Sequence, residues 1–287
     1  MKPSAFAYSA PRSVPEALTT LADAGPDGKV LAGGQSLVPI LNMRLAAPAH
    51  LVDINRLADL AFVRVEDDGV RVGALARHAD VEADEEAATV LPLLRQALRL
   101  VAHPVIRNRG TTVGSLAHAD PSGEMTAVLA LTGGSVEVAR EGSTRTVPAE
   151  EFFVAPLESA VQPGEIALSA HFPAFPARTG TAFVEVARRH GDYAVCGVAA
   201  AVTVDDQARV ARARTAYISV GPTPVVLDLT DAVGGTPAPG ADWEAAGRLA
   251  QGQVDPEGDI HATADYRRHL VGVLTARALR AAAGEAA

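Results

Sequence analysis

Two loops of small residues could bind an anion through their backbone. The first runs from Leu31 to Leu37 as LAGGQSL, and the second runs from Gly110 to Pro121 as GTTVGSLAHADP. Glycine allows successive N–H groups to point into one concavity, where backbone dipoles bind an anion without a lysine charge. One such loop is weak evidence, because turns use the same residues. Two in one chain suggest a ligand with two ends, such as a dinucleotide.

Motifs of other catalytic classes are missing from the sequence. There is no Gly-x-Gly-x-x-Gly after a strand, no Walker lysine motif, no His-Glu-x-x-His and no Gly-x-Ser-x-Gly. The eight histidines are scattered, and only His118, beside Asp120, lies in a candidate loop. The sequence therefore predicts neither a catalytic side chain nor a metal site.

Composition and charge narrow the class of protein. The chain has 287 residues and a hydrophobic content of 48%, which favour a large buried core. Its net charge of -9 disfavours nucleic-acid binding. Cys196 is the only cysteine, so the chain has no internal disulfide and cannot by itself hold an iron–sulfur cluster. We expect a cytoplasmic protein without a signal peptide or integral membrane segment, because no apolar run approaches ~18 residues.

The first loop is expected between a strand and a helix. Ser13 and Glu16 form a capping-box pattern that predicts a helix through about Ala24. Residues 29–32 then predict a short strand, residues 37–45 have helical apolar spacing, and residues 50–54 predict another strand. Backbone amides are unpaired at such a helix start, which favours an anion.

The remaining elements are mixed and place the second loop before a helix. Pro121 and the irregular spacing place most of that loop in coil. A hairpin is predicted at 62–73, with further strands at 135–139, 144–147 and 165–172 and helices at 89–100 and 124–132. After a linker at 173–180, we predict an antiparallel sheet from 181–188, 198–204 and 210–220, and helices at 242–251 and 263–283.

Three motifs together carry a family resemblance. They are AGGQS at 32–36 with Lys29 upstream, RNRGTTVGSLAHADP at 107–121 and RRHGDYA at 188–194. In this order and spacing the chain resembles the FAD-binding medium subunit of the molybdenum hydroxylases, the xanthine dehydrogenase and carbon monoxide dehydrogenase family. The resemblance implies an α+β fold with a two-subdomain FAD-binding region of the PCMH, or vanillyl-alcohol-oxidase-like, type at 1–176. Its subdomains would span about 1–57 and 58–176, followed by a smaller α+β C-terminal domain at 177–287.

The resemblance also implies roles for individual residues in binding FAD. The first loop would wrap the pyrophosphate with Ala32, Gly33, Gly34, Gln35, Ser36 and Leu37, with Lys29 near the adenine end. The other side of the diphosphate and the ribityl chain would be held by Thr111, Gly114 and Ser115, with Ala117 and Asp120 nearby and Glu124 at the adenosine ribose. The flavin ring would lie in an apolar slot of Val101, Ala102, Ile166 and Leu168, with one face covered by Tyr193.

The chain departs from the family pattern at a few positions. Val113 stands where a glycine is usual, and a β-branched residue tolerates positive φ poorly. Either this position has ordinary backbone angles here, or FAD binding is weakened or rearranged. Gln35 and Glu185 stand where some relatives have histidine and lysine, and we interpret both as tuning of the site.

The function implied is electron transfer within a larger complex. FAD would take electrons from a small iron–sulfur subunit, which receives them from a large molybdopterin subunit, and would pass them to an external acceptor. The assembly would be a dimer of heterotrimers, a heterohexamer, and the acceptor could be NAD, a quinone or oxygen. Two alternatives stay open: a self-contained FAD-dependent oxidase or reductase of the same fold, and a flavin-free structural assembly subunit.

Overall fold

The first part of the chain forms a three-stranded parallel sheet. The structure is a computed structural model, and it describes residues 2–286. The sheet has the strand order β1-β3-β2, and one helix packs on it while a second leaves the first loop. In chain order the elements are β1 (Ala7–Ser9), α1 (Val14–Ala24), β2 (Gly28–Leu31), α2 (Leu37–Asn42) and β3 (His50–Asp53).

A five-stranded antiparallel sheet with several short helices follows. Its order is β4-β5-β10-β6-β7, and β8 and β9 form a separate hairpin. The elements are β4 (Val63–Glu66), β5 (Gly69–Gly73), α3 (His78–Ala83), α4 (Glu85–Val90), α5 (Pro92–Leu98), α6 (Pro104–Arg107), α7 (Thr112–His118), α8 (Glu124–Thr132), β6 (Ser135–Arg140), β7 (Ser143–Pro148), α9 (Ala149–Phe152), β8 (Phe153–Ala155), β9 (Glu158–Ser159) and β10 (Ile166–Pro173).

The last part of the chain is a four-stranded antiparallel sheet covered by two long helices. The strand order is β11-β12-β13-β14, and α12 packs against α11, β11 and β12. The elements are β11 (Thr179–Ala187), β12 (Ala194–Val204), β13 (Val210–Ile218), β14 (Val225–Asp228), α10 (Thr230–Val233), α11 (Trp243–Gln253) and α12 (Ala264–Glu285). The predicted α+β class, with an antiparallel sheet and helices at the C-terminal end, is confirmed.

The C-terminal sheet is buried on both faces. Along β12, Val198, Ala200 and Val202 pack with the C-terminal helices, whereas Ala199 and Ala201 pack into the core of the preceding region. This alternation follows from the two-residue period of a strand. The sheet is therefore joined to the rest of the chain by apolar packing, which fixes the position of the residues just before β12.

Three sequence-based element predictions need correction. The helix predicted at 89–100 is two helices, α4 and α5, which meet at Leu91, because Pro92 cannot continue a helix but is well suited to start one. The second loop is helical over α7, not mostly coil. The helix after the first loop, α2, ends at Asn42, short of the predicted 45.

Several short elements had no signal in the sequence. They include α6, β8, β9 and β14, each of two to four residues, and a run of that length is too short to show a helical or strand period. Among residues 2–286, no helix combines the length and the apolar character needed to cross a membrane.

Candidate functional site

The two small-residue loops pack directly against each other. Gly33 lies so close to the second loop that an added Cβ would sit 2.5 Å from the carbonyl oxygen of Arg109 and 2.9 Å from the Cα of Gly110. Only a residue without a side chain allows this approach of two backbones. The structure therefore brings together the two loops that the sequence singled out, although about 75 residues separate them.

The first loop presents a run of free backbone donors. Within the chain from 2 to 286, the N–H groups from Gly33 to Leu37 donate to no protein acceptor. The carbonyl groups of Gly34 and Ser36 accept from Val38 and Ile40, at 3.0 and 3.2 Å, so they are already used. Gly34 has a φ of 74°, which glycine adopts without strain. Consecutive free N–H groups with occupied carbonyls form a cradle for an anion.

The anion cradle consists of loop amides more than of a helix end. The following helix α2 has only six residues and carries no side-chain cap. The Gln35 side chain folds back and donates from Nε2 to the carbonyl oxygen of Gly33 at 3.1 Å, which holds the loop in shape. The helix-start argument from the sequence thus located the loop correctly but gave too much weight to the helix.

A clamp that the sequence analysis missed holds the two loops together. Asn55 donates from Nδ2 to the carbonyl oxygen of Ala32 at 2.8 Å, and its Oδ1 accepts from Arg77 at 2.7 Å. Arg77 also donates to the carbonyl oxygen of Arg109 at 2.6 Å. One arginine therefore links both loops through charge-assisted hydrogen bonds. The only signal in the sequence was that Asn55 directly follows a strand.

A cleft runs beside the first loop. Its volume is about 410 Å³, and Asp53, Asn55 and Arg109 line it together with residues 31–35, Val38 and Pro39. Asp53 accepts from the Tyr8 hydroxyl at 2.6 Å and from the backbone of Asn55 at 2.9 Å. These hydrogen bonds hold the pKa of Asp53 below its usual value, although its partial burial acts in the opposite direction as the largest contribution. The carboxylate is therefore ionised, and hydrogen bonds within the protein hold it in place.

The second loop is organised by a threonine cap. The Thr111 hydroxyl accepts from the backbone N–H of Gly114 at 3.2 Å, and a Cβ at Gly114 would collide with that hydroxyl. Val113 lies in the first turn of α7, is 2% exposed and packs in the core, and its φ is not positive. The first of the two alternatives for Val113, ordinary backbone angles, is therefore correct. Gly114, Ser115 and Ala117 are half-buried on the same helix.

The C-terminal end of α7 turns sharply and leads to two acidic residues. Ala119 has a φ of 53°, and the Asp120 carboxylate accepts from the N–H of Ser122 at 2.8 Å. The pKa of His118 is lowered, mainly by burial. The charge of Asp120 acts against this shift, and the charge of Lys29 adds to it. Lys29, exposed on β2, therefore lies near this end of α7.

One buried and one half-buried carboxyl group lie close to each other beyond this turn. Glu124 is 9% exposed, and its burial together with the charge of Asp120 raises its pKa to about 7. Burial and the charge of Glu124 raise the pKa of Glu185 to about 8. Charged carboxylates are strongly disfavoured in such surroundings. The sequence pointed to Glu124 through the resemblance, but gave no sign that Glu185 lies half-buried beside it.

The predicted ring-slot residues fall into two groups. Val101 and Ala102 form a tight turn in which Ala102 has a φ of 44° and the carbonyl of Val101 accepts from Arg107 at 3.0 Å. Ile166 is 2% exposed and packs in the core, whereas Leu168 is half-buried at an irregularity of β10. Ile166 is therefore part of the hydrophobic core, and Leu168 is the more accessible one of the pair.

Tyr193 lies on a turn of the C-terminal part that touches the Val101 turn. The rings of His103 and His190 lie 5.9 Å apart edge to face, and a Cβ on Gly191 would meet the His103 ring. Partial burial and the charges of Asp120 and Glu124 raise the pKa of Tyr193, although 70% of the residue is accessible. Its ring is therefore exposed next to the acidic residues, where it can cover a ligand.

A group of possible metal ligands lies away from the loops. One oxygen each of Glu66 and Asp68 and one nitrogen of His171 lie within 4.8 Å of one another on β4, the following turn and β10. Protein partners account for this group: His171 Nε2 lies 3.0 Å from Asp68, and Glu66 accepts from Arg71 at 2.7 Å. The contacts pin the hairpin of β4 and β5 to β10.

Comparison with known proteins gives the class of this chain. The family described as "FAD binding domain in molybdopterin dehydrogenase" matches residues 4–175, and "CO dehydrogenase flavoprotein C-terminal domain" matches residues 181–282. These matches cover nearly the whole chain. The chain belongs to the family of FAD-binding medium subunits of molybdenum hydroxylases, and it is an oxidoreductase subunit. The resemblance read from the three motifs is confirmed.

Particular relatives match over nearly their full length. The chain is 40% identical to the 6-hydroxypseudooxynicotine dehydrogenase complex subunit alpha of Paenarthrobacter nicotinovorans, with 97% of this chain and 95% of the relative covered. It is 40% identical to the caffeine dehydrogenase subunit beta of Pseudomonas sp. (strain CBB1), with 99% and 96% covered. A structure of carbon monoxide dehydrogenase from Hydrogenophaga pseudoflava matches with a TM-score of 0.92 at 35% identity and covers 100% of both chains.

Proposed function

We propose that this chain binds FAD across its two small-residue loops and passes electrons from an iron–sulfur subunit to an external acceptor. The observation that carries the proposal is the run of free N–H groups from Gly33 to Leu37, packed against the start of the second loop at Gly33. Such a cradle suits the two phosphates of FAD, because amide dipoles bind charge without a counter-ion. The residues present therefore fit the cofactor that the family requires.

Different residues around the cradle hold different parts of FAD. Loop amides of Gly34, Gln35 and Ser36 bind phosphate oxygens, and the half-buried Gly114 and Ser115 approach from α7. The Val101 turn, Leu168 and Tyr193 exclude water from the ring and shape its surroundings. When bound, FAD supplies a redox centre that exchanges electrons one or two at a time. No side chain of this chain acts as a nucleophile or general acid in the proposal.

The electron donor and the molybdenum centre lie on other subunits in this proposal. Cys196 is the only cysteine and is buried, so this chain offers no cysteine set for a cluster. Several relatives carry names that make them subunits or medium chains of dehydrogenases. We propose a large molybdopterin subunit and a small iron–sulfur subunit as partners, in a dimer of heterotrimers located in the cytoplasm. The division of this chain at about residue 176 belongs to the same proposal.

A substitution at Ser36 tests the cradle without disturbing the fold. Ser36 is the N-cap residue of α2, a position where Asp is as favourable as Ser. The Ser36→Asp variant places a carboxylate beside the phosphates, and we expect its affinity for FAD to fall by at least about tenfold through charge repulsion. FAD content would be measured by absorbance after denaturation of the co-expressed complex, and affinity by fluorescence titration of the chain.

The neutral Ser36→Asn variant is the matched control and is expected to bind FAD normally. Equal FAD content in both variants would show that the phosphates do not bind at this loop. A colourless wild-type protein that takes up no FAD would favour the flavin-free structural subunit. Turnover of a small molecule by the chain without its partners would favour the self-contained oxidase or reductase.

A further inference from the structure

A serine just after β13 has an unusual backbone conformation and links two parts of the chain. Ser219 has a φ of 64°, a left-handed conformation that residues other than glycine rarely adopt. Its N–H donates to the carbonyl oxygen of Pro121 at 2.8 Å, at the end of the second loop. Its hydroxyl donates to the carbonyl oxygen of Ala194 at 2.6 Å and lies 2.9 Å from the hydroxyl of Ser122. One residue therefore joins the second loop to the backbone that directly follows Tyr193.

This link lies where the pairing of two strands ends. The ladder between β12 and β13 starts at Gly197, so Ala194 and Val195 lie beyond its last pair. Buried backbone groups outside a ladder need other partners. The carbonyl oxygens of these two residues accept from side chains instead, from the Ser219 hydroxyl and from Nη1 of Arg267 respectively. Side-chain donors therefore hold the start of β12 where backbone pairing stops.

Arg267 holds Ser219 in this position. The arginine extends from α12, and its Nη1 donates to the carbonyl oxygens of both Val195 and Ser219 at 2.7 Å. Its Nη2 donates to Asp259 at 2.6 Å, and the residue is buried. A buried charge is costly unless it is paired and hydrogen-bonded, so the loss of either partner would disturb the fold. Ser219 can be altered more selectively than Arg267.

The position of Tyr193 depends on this backbone. The residue is mostly exposed, so apolar packing alone does not fix its ring. The Ser219 hydroxyl holds the next carbonyl group along the chain, that of Ala194. A ring whose backbone is already held in place loses less conformational entropy when it covers a ligand. The bonds at Ser219 therefore favour binding of a ligand that Tyr193 covers.

We propose that Ser219 is a positioning residue that fixes the Tyr193 turn against the end of the second loop, and thereby sets how tightly the Tyr193 ring covers bound FAD. The inference rests on the proposed function, because FAD is the ligand that the ring covers. Ser219 acts through its bonds to Ala194 and to residues 121–122, and it does not itself contact FAD.

Removal of the Ser219 hydroxyl tests this role. Ser219→Gly keeps the N–H, and glycine adopts a φ of 64° without strain, so the full chain should fold. Its dissociation constant for FAD should rise by about two- to tenfold, at most the effect of losing the ring. At saturating FAD the bound flavin should also fluoresce more, because a tyrosine ring in contact with a flavin quenches its emission. Ala208→Gly is the matched control, since Ala208 has a φ of 54° on an exposed turn, and it should leave both measurements unchanged.

A double-mutant cycle separates positioning of the ring from a general loosening of the fold. In the Tyr193→Ala background, Ser219→Gly should change neither the affinity for FAD nor the flavin fluorescence, because the ring that it positions is absent. An equal loss of affinity in both backgrounds would show that Ser219 acts on the second loop or on the whole fold, and overturns the inference.

A second variant serves if Ser219→Gly does not fold. Ser122→Ala leaves Ser219 unchanged and removes only the contact between the two hydroxyl groups, so affinity and fluorescence should change in the same direction by a smaller factor. Wild-type affinity and fluorescence in the variant tested overturn the inference and leave the proposed function intact. Failure of the wild-type chain to bind FAD overturns the proposed function, and this inference with it.

Discussion

The two ends of the candidate site are built from opposite chemistry. At the first loop, free backbone N–H groups from Gly33 to Leu37 offer partial positive charge and no group that titrates. At the far end of α7, Asp120, Glu124 and the nearby Glu185 offer carboxyl groups, of which Glu124 is buried and the other two are half-buried. The two ends respond differently to pH, because a backbone amide stays a donor at any pH, whereas a carboxyl group changes from donor to acceptor when it ionises. Burial shifts the pH at which the carboxyl group ionises.

The two ends therefore depend on different parts of the chain, one on the backbone and the other on side chains. The loop end depends on two backbones in contact at Gly33 and on the Arg77 clamp. The acidic end depends on side chains from three separate segments, at 120–124, 185 and 193. Substitutions at the first end should therefore act mainly on folding and FAD content, and those at the second end on pH dependence.

The largest effect is expected at Gly33. A valine there would place its Cβ 2.5 Å from the carbonyl oxygen of Arg109, so the loops must separate, at a cost of at least about 3 kcal/mol. Gly33→Val should lower the melting temperature strongly and lose FAD. Gly252→Val is the control, because a Cβ at Gly252 meets nothing within 4 Å. Equal melting temperatures of Gly33→Val and the wild-type chain would refute the loop–loop contact.

Removal of the clamp should have the next largest effect. Arg77→Met replaces the guanidinium by an apolar side chain of similar length and removes the hydrogen bonds to Asn55 and Arg109. We expect the free energy of unfolding to fall by about 2–3 kcal/mol. Denaturant titration would measure this loss, and FAD content should fall with it. Arg277→Met, an exposed substitution on α12, should change stability little. Similar losses in both variants would mean that the clamp does not stabilise the loops.

Glu124 should give a smaller effect that appears only at higher pH. Burial raises its pKa in the folded chain to about 7, above its ordinary value of 4.5. Its contribution to stability is thus complete below pH 4.5 and is lost as the pH rises through 7. Glu124→Gln cannot ionise and should be more stable than the wild-type chain by about 1–2 kcal/mol at pH 8.5, relative to the difference at pH 4.5.

Thermal unfolding of the FAD-free chain across this pH range would measure the effect of Glu124. Glu150→Gln, at an exposed position, should follow the wild-type curve. A constant difference between Glu124→Gln and the wild-type chain at all pH values would show that Glu124 does not titrate in the folded protein.

Tyr193 should have the smallest effect on stability. Its side chain is 70% exposed, so Tyr193→Ala should change the free energy of unfolding by no more than about 0.5 kcal/mol. If the ring stacks on the flavin, the same variant should weaken FAD binding by about two- to tenfold. Tyr266→Ala, at another exposed tyrosine, is the control for both measurements. Unchanged affinity in Tyr193→Ala would remove Tyr193 from the site.

Much of the fold was predictable where local signals are long or chemically specific. The Ser13 cap of α1, the strand before the first loop and the helices α8, α11 and α12 appear as expected. The carboxylate of Glu16 accepts from the N–H of Arg12 at 2.8 Å, one residue before Ser13, whose N–H it would accept from in a capping box. The helix α7 was missed because its start depends on one hydroxyl bond from Thr111, which no periodicity reveals.

The residues of the site were predictable to different degrees. The loops were visible because glycine and serine mark them, and the family resemblance supplied a ligand. Asn55 and Arg77 were missed, since a lone asparagine and a lone arginine carry no pattern. The place of Glu185 beside Glu124 gave no sign either, because the two residues lie on segments about 60 residues apart in the sequence.

The sequence by itself determined the family, the two loops and the absence of a cysteine set for a cluster. These properties depend on residue types at fixed spacings, which the chain carries whatever its conformation. Only the tertiary structure decided that Gly33 meets Arg109, that Val113 is helical and that Glu185 lies close to the buried Glu124. Contacts and burial depend on segments that are far apart in the chain, and local sequence does not specify which distant residue packs against a given one.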